Sequence, residues 1–315
     1  MDIRTALKAA MHSLREARVP SHTLAAELLL MRITGRERVW LYAHHEETLE
    51  PEQAEKYFAL VARRIAGTPT QYLTGKQEFW GLEFEVAPGV LIPRPETEHV
   101  VEVALERFSV KHGHSFARDT SLGAACGGAL RIADVGTGSG CLAVALAKEF
   151  PEATVIATDI SPVALAIAQR NASRHNVASR IQFHECNLLD GFLHSPLTTR
   201  HSLAPSEAEG PLPFDLIVSN PPYIARNEAS GLPREVRDHE PHEALFGGAH
   251  GGELYAPLIA QAGQLLHSGG ILVCEIGSGA LDSVRPLLGD ASVWAAVGVT
   301  NDLAGIPRVL SAACV

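Results

Sequence analysis

The sequence reads Ile132-Ala133-Asp134-Val135-Gly136-Thr137-Gly138-Ser139-Gly140-Cys141 near the middle of its 315 residues. Its first residues predict a buried strand, and the apolar run at 142–147 predicts a helix. The alternating glycines between them let the backbone turn tightly, let a ligand approach the main chain and expose N–H groups at the helix start. The spacing is G-x-G-x-G, which differs from the dinucleotide pattern G-x-G-x-x-G. We therefore expect a ligand-binding loop made of Gly136, Thr137, Gly138, Ser139 and Gly140.

Strand-like and helix-like segments alternate around this loop, which predicts an α/β domain with a parallel, doubly wound sheet. The predicted strands cover residues 130–135, 154–159, 181–186, 214–219, 270–276, 292–299 and 307–313. No helical pattern separates the last two strands, so we expect the final strand to run antiparallel to its neighbours.

The first part of the chain has a different sequence pattern. Residues 1–67 are helical in pattern and carry no motif for chemistry, so we predict a helical domain over residues 1–74 that either recognises a substrate or only supports folding. Residues 75–93 predict a β-hairpin linker, with a turn at 88–89 and a return strand at 90–92. The α/β domain then spans residues 94–315.

Polar residues follow the second and third predicted strands of that domain. Asp159 ends the second strand, where a carboxylate can accept both ribose hydroxyls of an adenosine ligand. It could instead cap the helix that begins after Ser161. Asn187 and Leu188 follow the third strand, where an adenine could be hydrogen-bonded and covered, although such a pair is also ordinary loop material.

The fourth predicted strand ends in Asn220-Pro221-Pro222-Tyr223. Two prolines remove two backbone donors and fix two φ angles, so the chain leaves the sheet as a stiff, extended turn. The Asn220 side-chain oxygen and the Pro221 carbonyl could accept the two hydrogens of a planar –NH₂ group, while the Tyr223 ring stacks on its plane. Because ligands of open α/β sheets bind beyond the carboxyl ends of the strands, we expect this turn to meet the glycine loop and Asp159 at one edge.

Composition narrows the function classes. The net charge of −10 argues against a broad, non-specific grip on nucleic acid. The five cysteines form no C-x-x-C pair, and the 15 histidines form no recognisable ligand pattern, so we expect reduced thiols and no metal site. No apolar stretch has the length of a membrane span, and no secretory signal is evident, so we expect a cytoplasmic protein.

Several motifs together resemble known families. The glycine loop, Asp159 and Asn-Pro-Pro-Tyr resemble the class I S-adenosylmethionine methyltransferases that act on a planar amide or amino nitrogen. More specifically, Leu91-Ile92-Pro93-Arg94-Pro95-Glu96-Thr97-Glu98, preceded by Tyr72-Leu73-Thr74-Gly75, resembles the HemK/PrmC family of peptide chain release factor glutamine methyltransferases. The end Asp302-Leu303-Ala304-Gly305-Ile306-Pro307-Arg308-Val309 is also similar to that family. The resemblance covers nearly the whole chain, although Asn187 stands where the family often has Asp.

The resemblance implies a Rossmann-like, seven-stranded, mostly parallel sheet with a small N-terminal helical domain and a hairpin linker. It implies S-adenosyl-L-methionine as methyl donor, S-adenosyl-L-homocysteine as product and no metal. It implies bacterial class 1 release factors as substrate, methylated at the side-chain amide nitrogen (N5) of the Gly-Gly-Gln glutamine, with no stable binding to nucleic acid or membrane. The expected catalytic residues are Asn220, Pro221, Pro222 and Tyr223. The expected cofactor contacts are Gly136, Thr137, Gly138, Ser139, Gly140, Asp159, Asn187, Leu188 and Asn220.

Three other functions fit part of the pattern. A DNA or RNA adenine-N6 methyltransferase needs the same cradle for an exocyclic amino group, but it must also flip a base and grip phosphates. A ribosomal-protein glutamine methyltransferase would use the same chemistry on a different protein. A non-catalytic nucleotide-binding or scaffold module is disfavoured by the complete set of motifs at one sheet edge.

Two insertions, at 111–128 and 194–213, are predicted surface loops without an assigned function.

Overall fold

A computed structural model describes residues 1–112, 130–193 and 213–315, and of residues 109–112 it describes only the backbone. The two predicted insertions lie almost entirely outside these residues. The described chain divides into two compact units. The first contains Met1–Gln77, Val86–Pro88 and Gly231–Glu240, and the second contains Glu78–Glu85, Gly89–Ser230 and Pro241–Val315.

The first unit, called here the helical unit, is built on an all-helical core. Its helices are α1 (Ile3–Glu16), α2 (His22–Thr34), α3 (Arg38–Ala43), α4 (Pro51–Ile65), α5 (Thr70–Thr74) and α10 (Arg234–His239), which is contributed by the later segment of the chain. The side chain of Asp2 caps α1 by accepting from the Thr5 N–H at 2.6 Å, and Pro51 occupies the first turn of α4. Arg64, near the end of α4, is buried and forms an ion pair with Glu235 of α10.

The hairpin is shorter than predicted and turns elsewhere. Strands β1 (Lys76–Phe79) and β2 (Leu82–Glu85) form a two-stranded sheet. The turn lies at Trp80 and Gly81, both with positive φ (56° and 68°), as two-residue hairpins require. The predicted return strand at 90–92 is wrong, because β2 already has its partner in β1 and residues 90–92 follow the hairpin as irregular backbone.

The second unit, called here the catalytic unit, contains the predicted α/β sheet. Its strands are β3 (Arg131–Val135), β4 (Thr154–Asp159), β5 (Ile181–Glu185), β6 (Phe214–Ser219), β7 (Leu266–Glu275), β8 (Trp294–Asn301) and β9 (Pro307–Cys314). They form a seven-stranded sheet in the order β5-β4-β3-β6-β7-β9-β8. Strands β3 to β7 pair in parallel, and β9 runs antiparallel to both β7 and β8. The predicted fold class, including the antiparallel final strand, is confirmed.

Successive strand residues point to opposite sides of this sheet, so its apolar strands present apolar side chains on both faces. Helices cover both faces. The helices are α6 (Glu98–His112), α7 (Cys141–Glu149), α8 (Pro162–Arg174), α9 (Asp190–Leu193), α11 (His242–Leu245), α12 (Tyr255–Leu265) and α13 (Leu281–Val284). In β3, Ile132 packs into the core with α6 and α7, whereas Ala133 and Val135 pack into the core with α12. Within the described residues, no helix combines the length and apolar character needed to cross a membrane.

Candidate active site

The strand register brings the ends of four parallel strands together. Val135 of β3 is level with Thr158 of β4 and with Ser219 of β6, and Asp159 is level with Glu185 of β5. The chain moves outward from β3 through β4 to β5 and then crosses to β6 on the other side of β3. This reversal is a topological switch point, where open α/β sheets bind their ligands.

A cleft lies at this edge of the catalytic unit. The residues predicted from the sequence that line it are Gly136, Thr137, Gly138, Ser139, Asp159, Asn187, Leu188, Asn220, Pro221 and Pro222. Among the described residues that line the cleft, Gly140 and Tyr223 are absent. Further lining residues that the motifs did not single out for this role include Leu91, Thr97 and Glu243.

The glycine loop leaves room for a ligand. Gly136 and Gly138 have φ angles of 74° and 55°, and nothing lies within 4 Å of the position that a Cβ would occupy. Gly140 has a different task, because its Cβ would lie 3.0 Å from the Cβ of Ala168 in α8. Gly136 and Gly138 therefore open the loop, and Gly140 allows α7 and α8 to pack closely.

Asp134, inside β3, anchors the loop from below. Its Oδ2 accepts hydrogen bonds from the Thr137 hydroxyl at 2.6 Å and from the Ala143 N–H at 2.9 Å. Its Oδ1 is buried and has no hydrogen-bond partner among the described residues. Burial raises the pKa of Asp134 to about 7. Asp134 was not among the predicted site residues, although a carboxylate between the apolar strand residues Ala133 and Val135 is a usable signal.

Asp159 connects two parts of the cleft wall. Its Oδ2 accepts from the Gly138 N–H and its Oδ1 accepts from the Ser161 N–H, both at 2.9 Å. Ser161 is the N-cap of α8 and accepts from the Ala164 N–H at 3.2 Å, so helix capping falls to Ser161. Burial is the main cause that raises the pKa of Asp159 above its ordinary value. Asp159 thus presents a carboxylate beside the glycine loop with further lone pairs available.

Asn187 and Leu188 close the next side of the cleft. Asn187 is exposed, and its side-chain amide donates to Asp190 Oδ2 at 3.2 Å. Leu188 has a φ angle of 49° and packs against the apolar core on that side of the sheet. This pair supplies one polar group and one apolar surface, as a heterocyclic base would need.

The Asn-Pro-Pro-Tyr turn is held by a buried network. The Asn220 side-chain NH₂ donates to Thr97 Oγ1 at 2.9 Å, and the Thr97 hydroxyl donates to Glu275 Oε2 at 2.7 Å. The Tyr223 hydroxyl donates to Glu275 Oε1 at 3.2 Å. The Tyr223 ring packs so closely on Gly277 that a Cβ there would lie 2.9 Å from the ring. Burial raises the pKa of Glu275 to about 7 and also raises the pKa of Tyr223.

Thr97 and Glu275 were not among the predicted site residues. Glu275 ends the apolar strand β7, and its neighbour Cys274 is level with Ser219 of β6, which places Glu275 beside Asn220. A carboxylate at the end of a buried strand is the signal that could have identified it. Thr97 lies in the short helical turn Pro95–Thr97 and carries no comparable signal by itself.

The cleft is acidic. Its charged lining residues are Asp159 and Glu243, and none of the described residues that line it is Lys or Arg. Such a wall favours a cationic ligand and offers nothing to neutralise a run of phosphates.

Comparisons with known proteins agree with this architecture. A family model described as the PrmC N-terminal domain matches residues 5–75, and one described as a methyltransferase domain matches residues 128–285. The human METTL16 catalytic domain, solved with an RNA hairpin, is similar in fold, with a TM-score of 0.52, 16% identity and coverage of 80% of this chain and 81% of that one. At this identity, the likeness concerns the fold alone.

Curated relatives are much more similar. The release factor glutamine methyltransferase of Koribacter versatilis is 40% identical over 310 residues, which cover 98% of each chain. The protein of the same name from Chlorobaculum tepidum is 40% identical over 305 residues, covering 97% of this chain and 95% of that one. The chain therefore belongs to the release factor glutamine methyltransferase family, with a PrmC-type N-terminal domain and a methyltransferase domain.

Proposed function

We propose that this chain methylates the side-chain amide nitrogen (N5) of the glutamine in the Gly-Gly-Gln motif of bacterial class 1 release factors. The observation that carries the proposal is the Asn220 amide, held at the cleft edge with its NH₂ group turned to Thr97 and its oxygen left to accept. Family relatives of nearly full length support the choice of release factors as the substrate.

The cleft fits the expected cofactor. S-adenosylmethionine, when bound, supplies a methyl group on a sulfonium and leaves as S-adenosylhomocysteine, a transfer that needs no metal. The open glycine loop would hold the amino-acid part of S-adenosylmethionine. Asp159 would accept hydrogen bonds from its ribose hydroxyls, and Asn187 and Leu188 would contact its adenine. The acidic wall favours a positively charged ligand.

The proposed catalytic residues act on the acceptor amide. An amide nitrogen is a weak nucleophile because its lone pair is delocalised into the carbonyl. The Asn220 oxygen and the Pro221 carbonyl would accept its two hydrogens, which positions the nitrogen and stabilises positive charge as it develops there. Pro222 keeps the turn stiff, and Tyr223 would cover the amide plane. No side chain of the turn is a strong base, so positioning and electrostatics would carry most of the rate.

We further propose that the helical domain, residues 1–74, contributes to recognition of the release factor. Val39 on α3 is 78% exposed, an apolar side chain that lies outside the buried core of the helical unit. Val39→Ser should then raise the KM for the release factor and leave cofactor affinity unchanged. A purely structural role for the domain predicts no change in KM.

The site of action would be the bacterial cytoplasm, where release factors work.

The proposed reaction is tested directly with purified components. The chain is incubated with isotope-labelled S-adenosylmethionine and one candidate acceptor: a release factor, ribosomal protein or DNA. Mass spectrometry then locates the label. We expect label on the Gly-Gly-Gln glutamine, and none on a release factor whose glutamine is replaced by alanine. Label on ribosomal protein or DNA, or no transfer to any acceptor, would contradict the proposal.

Asn220→Ala provides the catalytic control. It should still bind the cofactor through the glycine loop and Asp159 but turn over at least about 100-fold more slowly, because it loses an acceptor that strengthens in the transition state. Near-normal turnover would refute the role given to Asn220.

A further inference from the structure

A buried carboxylate fixes the direction of every hydrogen bond that leads to Asn220. Glu275 is 1% exposed and Thr97 is 2% exposed. Glu275 accepts from the Thr97 hydroxyl at 2.7 Å and from the Tyr223 hydroxyl at 3.2 Å, and Thr97 accepts from the Asn220 amide at 2.9 Å. The chain of bonds therefore runs from Asn220 through Thr97 to one oxygen of Glu275, while Tyr223 is bonded to the other.

A count of the available protons shows that these hydrogen bonds can run in only one direction. Above its pKa of about 7, Glu275 is ionised and can only accept, so the single hydroxyl proton of Thr97 must then point at Glu275. The Thr97 oxygen can then only accept, and the Asn220 group facing it must be the NH₂ donor. If the Asn220 amide rotated by half a turn, its oxygen would face the Thr97 oxygen, two acceptors would meet, and a buried hydrogen bond would be lost.

The orientation matters because the two ends of an amide are chemically opposite. With its NH₂ group turned to Thr97, Asn220 presents an oxygen on its other side. A substrate –NH₂ group needs an acceptor there. The reversed amide would present a second –NH₂ group, and donor would face donor.

We propose that Glu275, acting through Thr97, is a positioning residue that holds the Asn220 amide with its oxygen toward the methyl-accepting nitrogen, while its second oxygen holds the Tyr223 hydroxyl. The role rests on the function proposed above, because it concerns the same acceptor site. It gives Thr97 a specific task as the one-proton link between the carboxylate and the amide.

Glu275→Gln tests the direction of the chain with little change in shape. A glutamine NH₂ group can donate to Thr97, which frees the Thr97 proton for the Asn220 oxygen and removes the preference between the two amide orientations. We expect kcat to fall about 10- to 100-fold, the effect of one mismatched buried hydrogen bond. The cofactor dissociation constant, measured by calorimetry, should stay within about twofold, which also shows that the variant is folded.

Thr97 variants test the link itself. Thr97→Ser keeps the hydroxyl and should retain most of kcat, whereas Thr97→Val should lower it about as much as Glu275→Gln. The double variant Thr97→Val/Glu275→Gln should be no slower than Thr97→Val alone, because both changes break the same series of hydrogen bonds. Glu152→Gln, an exposed carboxylate before β4, is the matched control and should leave kcat unchanged. Additive losses, or wild-type turnover in Glu275→Gln, would overturn the proposal.

The amide orientation can also be measured without any acceptor, which separates this inference from the proposed function. In the isotope-labelled wild-type protein, nuclear Overhauser effects should connect the Asn220 side-chain NH₂ protons with the Thr97 methyl group. They should weaken in Glu275→Gln. If the wild type shows these effects but does not methylate a release factor, the proposed substrate fails and the positioning role stands. If the wild type methylates the release factor but lacks these effects, the positioning role fails.

Discussion

Three carboxylates stand at the carboxyl edge of the sheet in the catalytic unit. Burial raises the pKa of Asp134, Asp159 and Glu275, and each is held by hydrogen bonds from its neighbours. Asp159 steadies the glycine loop through Gly138, and Glu275 steadies the Asn220 turn through Thr97. Of the three, Asp159 lines the cleft where a cationic cofactor would lie, and the buried Asp134 and Glu275 hold the glycine loop and the Asn220 turn from behind.

The role of Asp159 can be measured by binding alone. Asp159→Ala should weaken the affinity for S-adenosylmethionine about 10- to 100-fold, because it removes a charged acceptor for the ribose and also releases the Gly138 N–H. Titration calorimetry gives the dissociation constant. Glu152→Ala, before the opposite end of β4, is the control and should bind normally. An unchanged dissociation constant for Asp159→Ala would refute the ribose assignment.

The raised pKa of Glu275 has a consequence for stability. The pKa is about 7 in the folded protein and 4.5 for an unperturbed glutamate, so between these values the folded state holds more protons than the unfolded state. This contribution to stability is complete below about pH 4.5 and is lost as the pH rises through about 7. Between pH 5 and 7.5 it should fall by about 2 kcal/mol.

Urea unfolding of the wild type and of Glu275→Gln at both pH values isolates that contribution. The variant lacks the titrating group, so its free energy of unfolding should fall less than that of the wild type over this range. Equal pH dependence in the two proteins would show that Glu275 ionises at its ordinary pKa.

Local sequence patterns predicted part of the site and missed the rest for a physical reason. The glycine loop, Asp159 and Asn220 were predicted because each follows an apolar strand, and parallel strands end at one edge. The link between Thr97 and Glu275 joins positions 178 residues apart, and its hydrogen-bond direction depends on burial. Propensity and spacing carry no information on such a contact.

At the level of secondary-structure elements, one buried asparagine joins the hairpin, α8 and the glycine loop. The Asn171 side chain accepts from the Glu85 N–H at 2.7 Å and donates to the carbonyls of Glu85 and Ser139 at 3.0 and 2.8 Å. Asn171 is completely buried, so its side-chain amide cannot turn to water instead. Through Asn171, β2 and the glycine loop are fixed to the same turn of α8.

Removing this junction should affect both stability and binding. Asn171→Ala should destabilise the catalytic unit by about 2–3 kcal/mol, because it removes the partner of the Ser139 carbonyl, which is buried, and of the partly buried Glu85 backbone groups. It should also weaken cofactor affinity, because Ser139 belongs to the glycine loop. Chemical unfolding and calorimetry measure the two effects. Gln169→Ala, on the exposed side of the same helix, should change neither. Unchanged stability and cofactor affinity in Asn171→Ala would refute the role given to Asn171.

The hairpin shows how an element can be predicted in kind but misplaced. Trp80-Gly81 and Pro88-Gly89 are both reasonable turns, and the pattern favoured the second. The actual turn is fixed by distant partners: the Trp80 N–H donates to Glu98 at 2.9 Å and its indole N–H donates to Glu149 at 2.7 Å. The strands of the large sheet were predicted within a few residues because their signal is local apolar patterning.

For the whole molecule, the main difference from the predicted domains is that the helical unit is discontinuous. The boundary near residue 75 was drawn from composition, which cannot show that residues 231–240 return to the same unit. The ion pair between the buried Arg64 and the partly exposed Glu235 lies within this unit. The Arg64 guanidinium also donates to the Thr68 carbonyl at 3.3 Å.

Breaking this ion pair should destabilise the helical unit selectively. Glu235→Ala leaves the buried Arg64 charge without its carboxylate, which should cost about 3 kcal/mol. Asp238→Ala, on the same short helix but in exposed ion pairs, should cost less than about 1 kcal/mol. Hydrogen exchange in α4 measures the difference, and equal protection in both variants would contradict the prediction.

The discontinuity also sets an order of events during synthesis. Domains generally fold from the N-terminus as the chain emerges from the ribosome, but Arg64 must wait for a partner made 171 residues later. At typical translation speeds this delay is roughly 10–30 s. The part of the protein that is synthesised first therefore cannot be completed until residues 231–240 have been made.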